Sequence, residues 1–275
     1  MTGSGRAIDH IAVAVRDLDA AAAAYEAQGF TLTPRAQHPW GTANRLIQLS
    51  RGNFIELLEI DRPDMLPPHD PAATPPRFSF GAFNRDYLRR REGMAMLVLA
   101  GSDSRADVAR FSAAGLDTYA PFDFEREAPL PDGSMAKVAF SLAFASHPAM
   151  PHAGFFTCHS HYPENFWKPA YMSHANGAQE MVEAVLVAAD PEALAGFLTG
   201  FCDGAARPVD GGIAVSCGAH ALTVLTPVAA RARYPALTFD PALGPQFVAV
   251  TLTTAGTAPG PMDAGGMMVE YRNAG

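Results

Sequence analysis

The strongest constraint on this chain is a pattern that repeats. Ile8 to Asp17 alternates Ile11, Val13 and Val15 with smaller or polar residues, the period of two that a half-buried strand requires, and His10 falls on the opposite face. Asp17 then stands where a helix N-cap belongs, before the alanine-rich stretch Leu18 to Gly29, which Gly29 closes at a C′ position. At an offset of 86 residues the order returns: Asp103 falls on Asp17, Gly115-Leu116 on Gly29-Phe30, and Met96 on His10. Such a repeat dictates the whole fold rather than one part of it.

The remainder of each copy reads as strands. Thr31 to Pro34, Ala43 to Leu49 and Asn53 to Ile60 follow the first helix, with Ser50-Arg51-Gly52 as a tight turn, giving a β-α-β-β-β unit. The proline-crowded residues 61–77 cannot be the interior of any element and mark a boundary loop. The second unit has a strand at Ala95 to Ala100, a helix at Ser104 to Ala114, and strands at Thr118 to Phe124, Ala136 to Ala145 and Gly154 to His161. At an offset of 173, Asp190 falls on Asp17 and Glu183 on His10, and Pro191 takes the first helical position after the cap. This third unit continues with a helix over Glu192 to Phe201 and strands at Ala206 to Val209, Ile213 to Ser216 and Ala221 to Leu225. A fourth supplies only strands, Gln246 to Thr253 and Met267 to Tyr271. The expectation is an α+β chain of repeated βαβββ modules. Residues 7–165 would form one two-module domain (modules about 7–61 and 93–165), and 178–275 the third module plus its abbreviated partner.

Composition narrows the function. Of 275 residues 48% are hydrophobic and 17% charged, below the roughly 25% usual for globular domains, and the net charge is −8. That balance repels nucleic-acid phosphates and anionic membranes, and Arg89-Arg90-Arg91, the one basic cluster, reads as a solvated turn. No window approaches the ~18 apolar residues of a membrane span, and Met1 to Arg6 lacks the apolar core of a signal peptide, so a cytoplasmic location is expected. Cys158, Cys202 and Cys217 show no CxxC spacing and read as small buried residues. Phosphate loops, dinucleotide-binding glycine motifs, HExxH and GxSxG are all missing from the sequence.

Particular residues carry a resemblance. Asp9-His10-Ile11 with Val13, Val15 and Asp17-Leu18, the Gly-Phe closing the helix, Gly41-Thr42-Ala43-Asn44 and Phe54-Ile55-Glu56-Leu57-Leu58 are similar to a glyoxalase-like domain of the vicinal oxygen chelate superfamily. Phe155-Phe156-Thr157-Cys158-His159-Ser160-His161-Tyr162-Pro163-Glu164 resembles the Phe-Phe-x-Cys-Gln-His-His-x-Pro-Glu stretch of the same subgroup. The resemblance covers about residues 8–180. It implies paired modules whose sheets curl into an open barrel around a divalent metal, Zn, Fe, Mn or Ni, held by residues on the first and fourth strands of the modules.

Carried onto this chain, those positions are His10 and Glu56, an imidazole and a carboxylate suited to a borderline ion. Met96, at the matching place in the second module, is a poor ligand for a hard ion. The missing ligands are therefore expected from the second histidine segment, where Thr157, His159 and His161 share one strand face. His161 is the ligand the family pattern supports, and His159 a ligand or proton carrier. His38, Trp40 and Asn44 would form a pocket wall, Phe166, Trp167 and Tyr171 its cap, and Glu183 a further carboxylate in the third module.

The chemistry that follows is Lewis-acid activation of a small oxygen-chelating substrate, with Glu56 or His159 moving a proton, in an enzyme of the lyase or isomerase type. Two alternatives stand beside it. One is an extradiol-type dioxygenase using His10, His161 and Glu56 as a facial triad, and the other a non-catalytic binding protein of the resistance type. The partners expected are a small-molecule substrate and, at most, a second copy of the chain as a homodimer.

Overall fold

The structure, a computed structural model, describes residues 5–129, 135–256 and 259–274. The first four residues of the N-terminal stretch read above lie outside that range. The chain runs β1 (Ile8–Ala14), α1 (Leu18–Ala27), β2 (Ala36–Gln37), β3 (Thr42–Gln48), β4 (Phe54–Ile60), α2 (Phe80–Leu88), β5 (Gly93–Ala100), α3 (Ser104–Ala113), β6 (Asp117–Thr118), β7 (Phe122–Pro129), β8 (Met135–Ser146), β9 (Gly154–Ser160) and α4 (Pro163–Phe166). It continues with β10 (Ala178–Val187), α5 (Ala195–Cys202), β11 (Ala206–Val209), β12 (Gly212–Cys217), β13 (His220–Leu225), α6 (Pro227–Arg233), β14 (Gln246–Thr254), β15 (Met262–Asp263) and β16 (Met268–Asn273).

The repeated caps work as their chemistry requires. Asp17 accepts from the Ala20 N–H at 2.9 Å, and Asp103 from the N–H groups of Arg105 (2.9 Å) and Ala106 (3.1 Å), satisfying donors that the first turn leaves free. Asp190 accepts from Ala193 N–H at 3.2 Å, but here a 3-10 turn, Glu192–Leu194, precedes α5.

Two open sheets result. In the first the strand order is β2-β3-β4-β1-β5-β9-β8-β6, with β7 also on β8; in the second it is β11-β12-β13-β10-β14-β16-β15. In each the two modules join through an antiparallel pair, β1 with β5 and β10 with β14, and each of those strands has a parallel neighbour from its own module. The α+β architecture of repeated modules is thus observed, with neither sheet closed into a barrel.

The sheets share one core. Ile11, Val13 and Phe155 from the first pack with Leu186, Val250 and Phe247 from the second, and α1, α3 and α5 contribute Leu18, Phe111 and Phe201. Phe111 stacks on Phe201 with centroids 5.5 Å apart, and Phe155 meets Phe247 at the same separation. Burying such a ring stabilises by roughly 1.5–3 kcal/mol. The opposite, concave faces are where α2 and α6 lie, each over its own sheet.

Several sequence expectations need correction. Thr31 to Pro34 is not a strand: Thr33 exchanges bonds with Leu46 locally, and the edge strand is β2 instead. Pro121 divides the expected strand Thr118 to Phe124 into β6 and β7. Helices α2 and α6 were not foreseen, and Ser79 and Thr226 cap them. Arg91 is not solvated, because it bonds Gln246 (2.5 Å) and the Gly266 carbonyl in the other half of the chain. Among the described residues no helix is long and apolar enough to cross a membrane.

Candidate functional site

A cavity of about 60 Å³ opens on the concave face of the first sheet. Its walls come from β1, β3 and β4 on one side and β7, β8 and β9 on the other, with Phe80 of α2 as a lid residue. Rings dominate the lining, and the polar groups are few: His10, His38, Asn44, Glu56 and Arg126. An apolar concavity with a handful of placed polar groups is the usual form of a small-molecule site.

Strand parity explains which side chains enter. His10 lies opposite Val98 on β5, Ala12 opposite Glu56 on β4, and Val98 opposite Phe156 on β9, so His10, Glu56 and Phe156 share a face. His10 is 5% exposed and Glu56 6%. The His10 ring lies flat on Phe54, centroids 4.2 Å apart, and meets Phe156 edge-on. Its Nδ1 is held by Asp9 Oδ1 at 2.5 Å, which fixes the ring and leaves Nε2 as the remaining nitrogen.

Asn44 Nδ2 donates to Glu56 Oε1 at 2.6 Å. Burial pushes the Glu56 carboxyl above its usual range, and His10, the Asn44 hydrogen bond and Arg126 oppose that rise without cancelling it.

His38 lies parallel on Trp40 at 4.6 Å, and its Nδ1 pairs with Thr42 Oγ1 at 2.8 Å. Burial, reinforced by Arg126, brings its pKa down to about 3, so the imidazole is neutral near pH 7. The turn that presents Trp40 depends on Gly41, whose φ of 90° suits only glycine and where a Cβ would run into the Arg62 carbonyl. His38, Trp40 and Asn44, expected as a pocket wall, all line the cavity. The Gln48 side chain ties down the rim by accepting from Lys168 N–H (3.1 Å) and donating to the Phe166 carbonyl (2.8 Å). Phe166 lines the cavity and Trp167 packs on Phe54 at 5.9 Å. Tyr171 lies farther out, in an adjoining chamber.

The structure does not bring His159 and His161 to this place. Phe156 and Cys158 are the β9 residues in the cavity, so Thr157 and His159 project from the other face, where Thr157 Oγ1 donates to Asp107 Oδ2 of α3 at 2.7 Å. His161, exposed beyond the strand end, pairs through Nε2 with Ser141 Oγ at 2.8 Å. The second-module counterparts of His10 and Glu56 are Met96 and, through the register of β5 with β9, Phe156. A thioether, already read as a poor ligand, and a phenyl ring therefore occupy the second-module positions that match His10 and Glu56, and His159 and His161 do not replace them. Among the described residues no group of three or more His, Cys, Asp or Glu side chains is arranged to hold a metal ion. His10 and Glu56 alone fall short of the three or four protein ligands of a firmly bound zinc-type ion, so this donor set does not fit a tightly held metal.

The third-module carboxylate, Glu183, is also engaged. Thr223 Oγ1 donates to it at 2.6 Å, and Arg233 of α6 grips both its oxygens. Burial alone would raise its pKa, but the guanidinium overrides burial and holds it below the usual value.

The cavity-lining charged residue that the sequence did not single out is Arg126. It lies just past the end of the strand expected at Thr118 to Phe124, in the charged run Asp123-Phe124-Glu125-Arg126-Glu127; Phe124 and Arg126, two apart on β7, both point into the cavity. Burial lowers its pKa, and Glu56 partly opposes that shift. The alternation of Phe122, Phe124 and Arg126 was the available signal.

The comparisons agree with this architecture. A family model described as a glyoxalase-like domain matches residues 8–202. A hypothetical protein from Staphylococcus aureus superposes with a TM-score of 0.72 at 14% identity, over 97% of this chain and 99% of that one. A variant of 4-hydroxymandelate synthase from Streptomyces coelicolor superposes at 0.53 with 11% identity, over 97% and 92%. At such identities the likeness concerns the fold alone. No curated protein matches the sequence. With module repeats, sheet pairing and a family model spanning more than half its length, the chain belongs to the glyoxalase-like domain family of the vicinal oxygen chelate superfamily.

Proposed function

We propose that the chain binds a small organic molecule in the cavity of the first sheet and moves a proton on it, chemistry of the isomerase or lyase type, with Glu56 as the proton carrier. The observation that carries this reading is a single carboxyl group set among rings, fixed through one oxygen by Asn44 at 2.6 Å and raised in proton affinity by burial. A carboxylate so raised is a stronger base than one in water and is poised closer to neutral pH, which general acid–base catalysis exploits. In the proposed step Glu56 takes a proton from a carbon next to a carbonyl, the electron pair moves to the carbonyl oxygen, and the proton returns to the same carbon from either face. Where that carbon bears a hydroxyl, its O–H proton passes to the first oxygen, the hydroxyl becomes the new carbonyl, and Glu56 returns its proton to the former carbonyl carbon. The neutral His38, in the tautomer whose Nδ1 accepts from Thr42 and whose Nε2 carries the proton, is the donor for that first oxygen, and the ring walls keep water away from it.

The test is exchange of substrate C–H for deuterium in D2O, followed by NMR over a panel of small 2-oxo acids and hydroxyaldehydes. Wild-type protein should catalyse exchange on at least one member, and Glu56→Gln should lower it by about 10²–10⁴-fold. Exchange that survives the substitution overturns the assignment of Glu56, and binding without any exchange leaves a sequestering protein.

A second reading keeps the divalent ion, held by His10 and Glu56 with the substrate completing its shell. The Asp9–His10 contact favours it, since a carboxylate on the far nitrogen orients metal-ligating histidines. Elemental analysis separates the two readings: stoichiometric metal in the wild type that His10→Ala removes would favour the ion.

A further inference from the structure

The cavity does not end at Phe166. A second chamber of about 80 Å³ adjoins it, and the two share Asn44, Leu46, Arg126 and Phe166. Their walls differ in kind. The inner chamber is lined by rings, whereas the outer one is lined by Arg35, Lys168, Gln48 and Tyr171 among others.

Arg126 stands at the junction. Arg35 is bound to Glu59 and Asp61, and Lys168 Nζ donates to the Glu164 carbonyl. Arg126 has no ion pair among the described residues, and its Nε is buried without a hydrogen-bond partner. Trp40 Nε1, on the inner wall, is a second buried donor with no acceptor. A buried N–H with nothing to donate to is unfavourable, and two on one small cavity are uncommon unless a bound molecule supplies the acceptors. Glu56 does not fill that role at contact distance, although it is close enough for its charge to act on Arg126.

We infer that the molecule taken by this site is an organic anion, with a carboxylate or similar oxyanion received by Arg126 at the junction and an apolar group in the inner chamber. At about 60 Å³ that chamber accepts roughly four to six water-sized groups, the size of one small ring or a short branched chain. The guanidinium presents a planar fork to a carboxylate, and the indole N–H is available to a further oxygen. The anion would also place the carbon beside it on the side of the cavity that holds Glu56. This inference rests on the first-sheet cavity being the working site.

The chain's two tryptophans, Trp40 and Trp167, both flank the inner chamber, so intrinsic fluorescence reports its occupancy directly. We would titrate full-length protein with phenylacetate, its neutral isostere phenylacetamide, and acetate, confirming each by calorimetry. Phenylacetate should bind at least tenfold more tightly than either of the others. Arg126→Gln should weaken phenylacetate at least tenfold and leave phenylacetamide within about twofold, and Arg126→Lys should fall between. Equal binding of the acid and the amide by the wild type, or equal weakening of both by Arg126→Gln, overturns the anion inference and leaves the cavity reading standing. No response to any of the three probes overturns both. Arg126→Lys, which keeps the charge, covers the case in which the glutamine variant fails to fold, and its indifference to the acid–amide distinction would equally count against the inference.

Discussion

Arg233 holds Glu183 in a fork, Nη2 to Oε2 at 2.7 Å and Nη1 to Oε1 at 3.1 Å, while the same Nη2 reaches Glu270 Oε2 at 2.8 Å. Glu183 occupies the third-module position that His10 holds in the first. The second concave face therefore supplies its own cation from α6, and its carboxylates are committed to it. The paired modules of one chain differ in kind: a ring-lined cavity in the first sheet, and in the second a wider cleft whose carboxylate is already bound to a guanidinium.

That cluster should matter for stability. Arg233→Ala leaves Glu183 and Glu270 facing each other in a partly buried setting. Breaking a fully buried pair costs about 3–5 kcal/mol, and the partial exposure here reduces the expected loss to about 2–3 kcal/mol of unfolding free energy, read from urea denaturation. Adding Glu183→Gln should recover part of that loss, because the two side chains share one network.

His38 gives a pH signature. Its folded-state pKa lies well below that of an unfolded histidine, so its neutral form favours folding above about pH 6.5, and that stability is lost as pH falls toward about 3. At 1.36 kcal/mol per pK unit the upper limit is roughly 4–5 kcal/mol across that window. His38→Gln should flatten the acid limb of a stability-versus-pH curve relative to wild type. An unchanged limb would mean the imidazole is not neutralised by its surroundings.

Asn44→Ala removes the hydrogen bond that favours the charged form of Glu56, so the carboxyl should titrate at still higher pH. Carboxyl-carbon NMR of labelled protein reads the shift directly, and a stability loss of about 1–2 kcal/mol should accompany it.

The cysteines should be inert in the native state. All three are buried, and burial pushes the Cys158 thiol well above its usual range; for Cys202 the Cys217 contact, Sγ to Sγ at 3.1 Å, raises it further. Ellman's reagent should count no thiols within minutes under native conditions and three after denaturation.

Much of this was legible because the repeat is written in residues with strong local preferences. Asp17, Asp103 and Asp190 mark helix starts, and Gly29 and Gly115, both at positive φ, mark helix ends. Helix α5 turns instead on Asp203 in the left-handed region, one residue before Gly204. Helix α2 was hidden by the prolines before it and by Gly81 within it, although Phe80, Asn84 and Tyr87 follow helical spacing and are buried.

For the site, periodicity placed Thr157 and His159 on one face but could not say which face was concave. Only the pairing of β9 with β5, Val98 opposite Phe156, settles that, and register between strands nearly 60 residues apart leaves no local trace. Arg126 was invisible for a related reason: a charged residue beside other charges looks solvated until the far strands of its own sheet bring β1, β3 and β4 opposite it.

The shared core between the two sheets limits how this protein could be divided. Residues 7–165 contain all of the inner cavity's lining but Phe166, yet cutting there would also bare Phe111 and Phe155 on the outside of the first sheet, where Phe201 and Phe247 now cover them. The second half, whose own wider cleft is lined by the paired Glu183 and Arg233, is thus also the surface that covers the outer rings of the first. A module pair whose central carboxylate is already tied to an arginine can still be indispensable, because what it contributes is a surface for its twin to lean on.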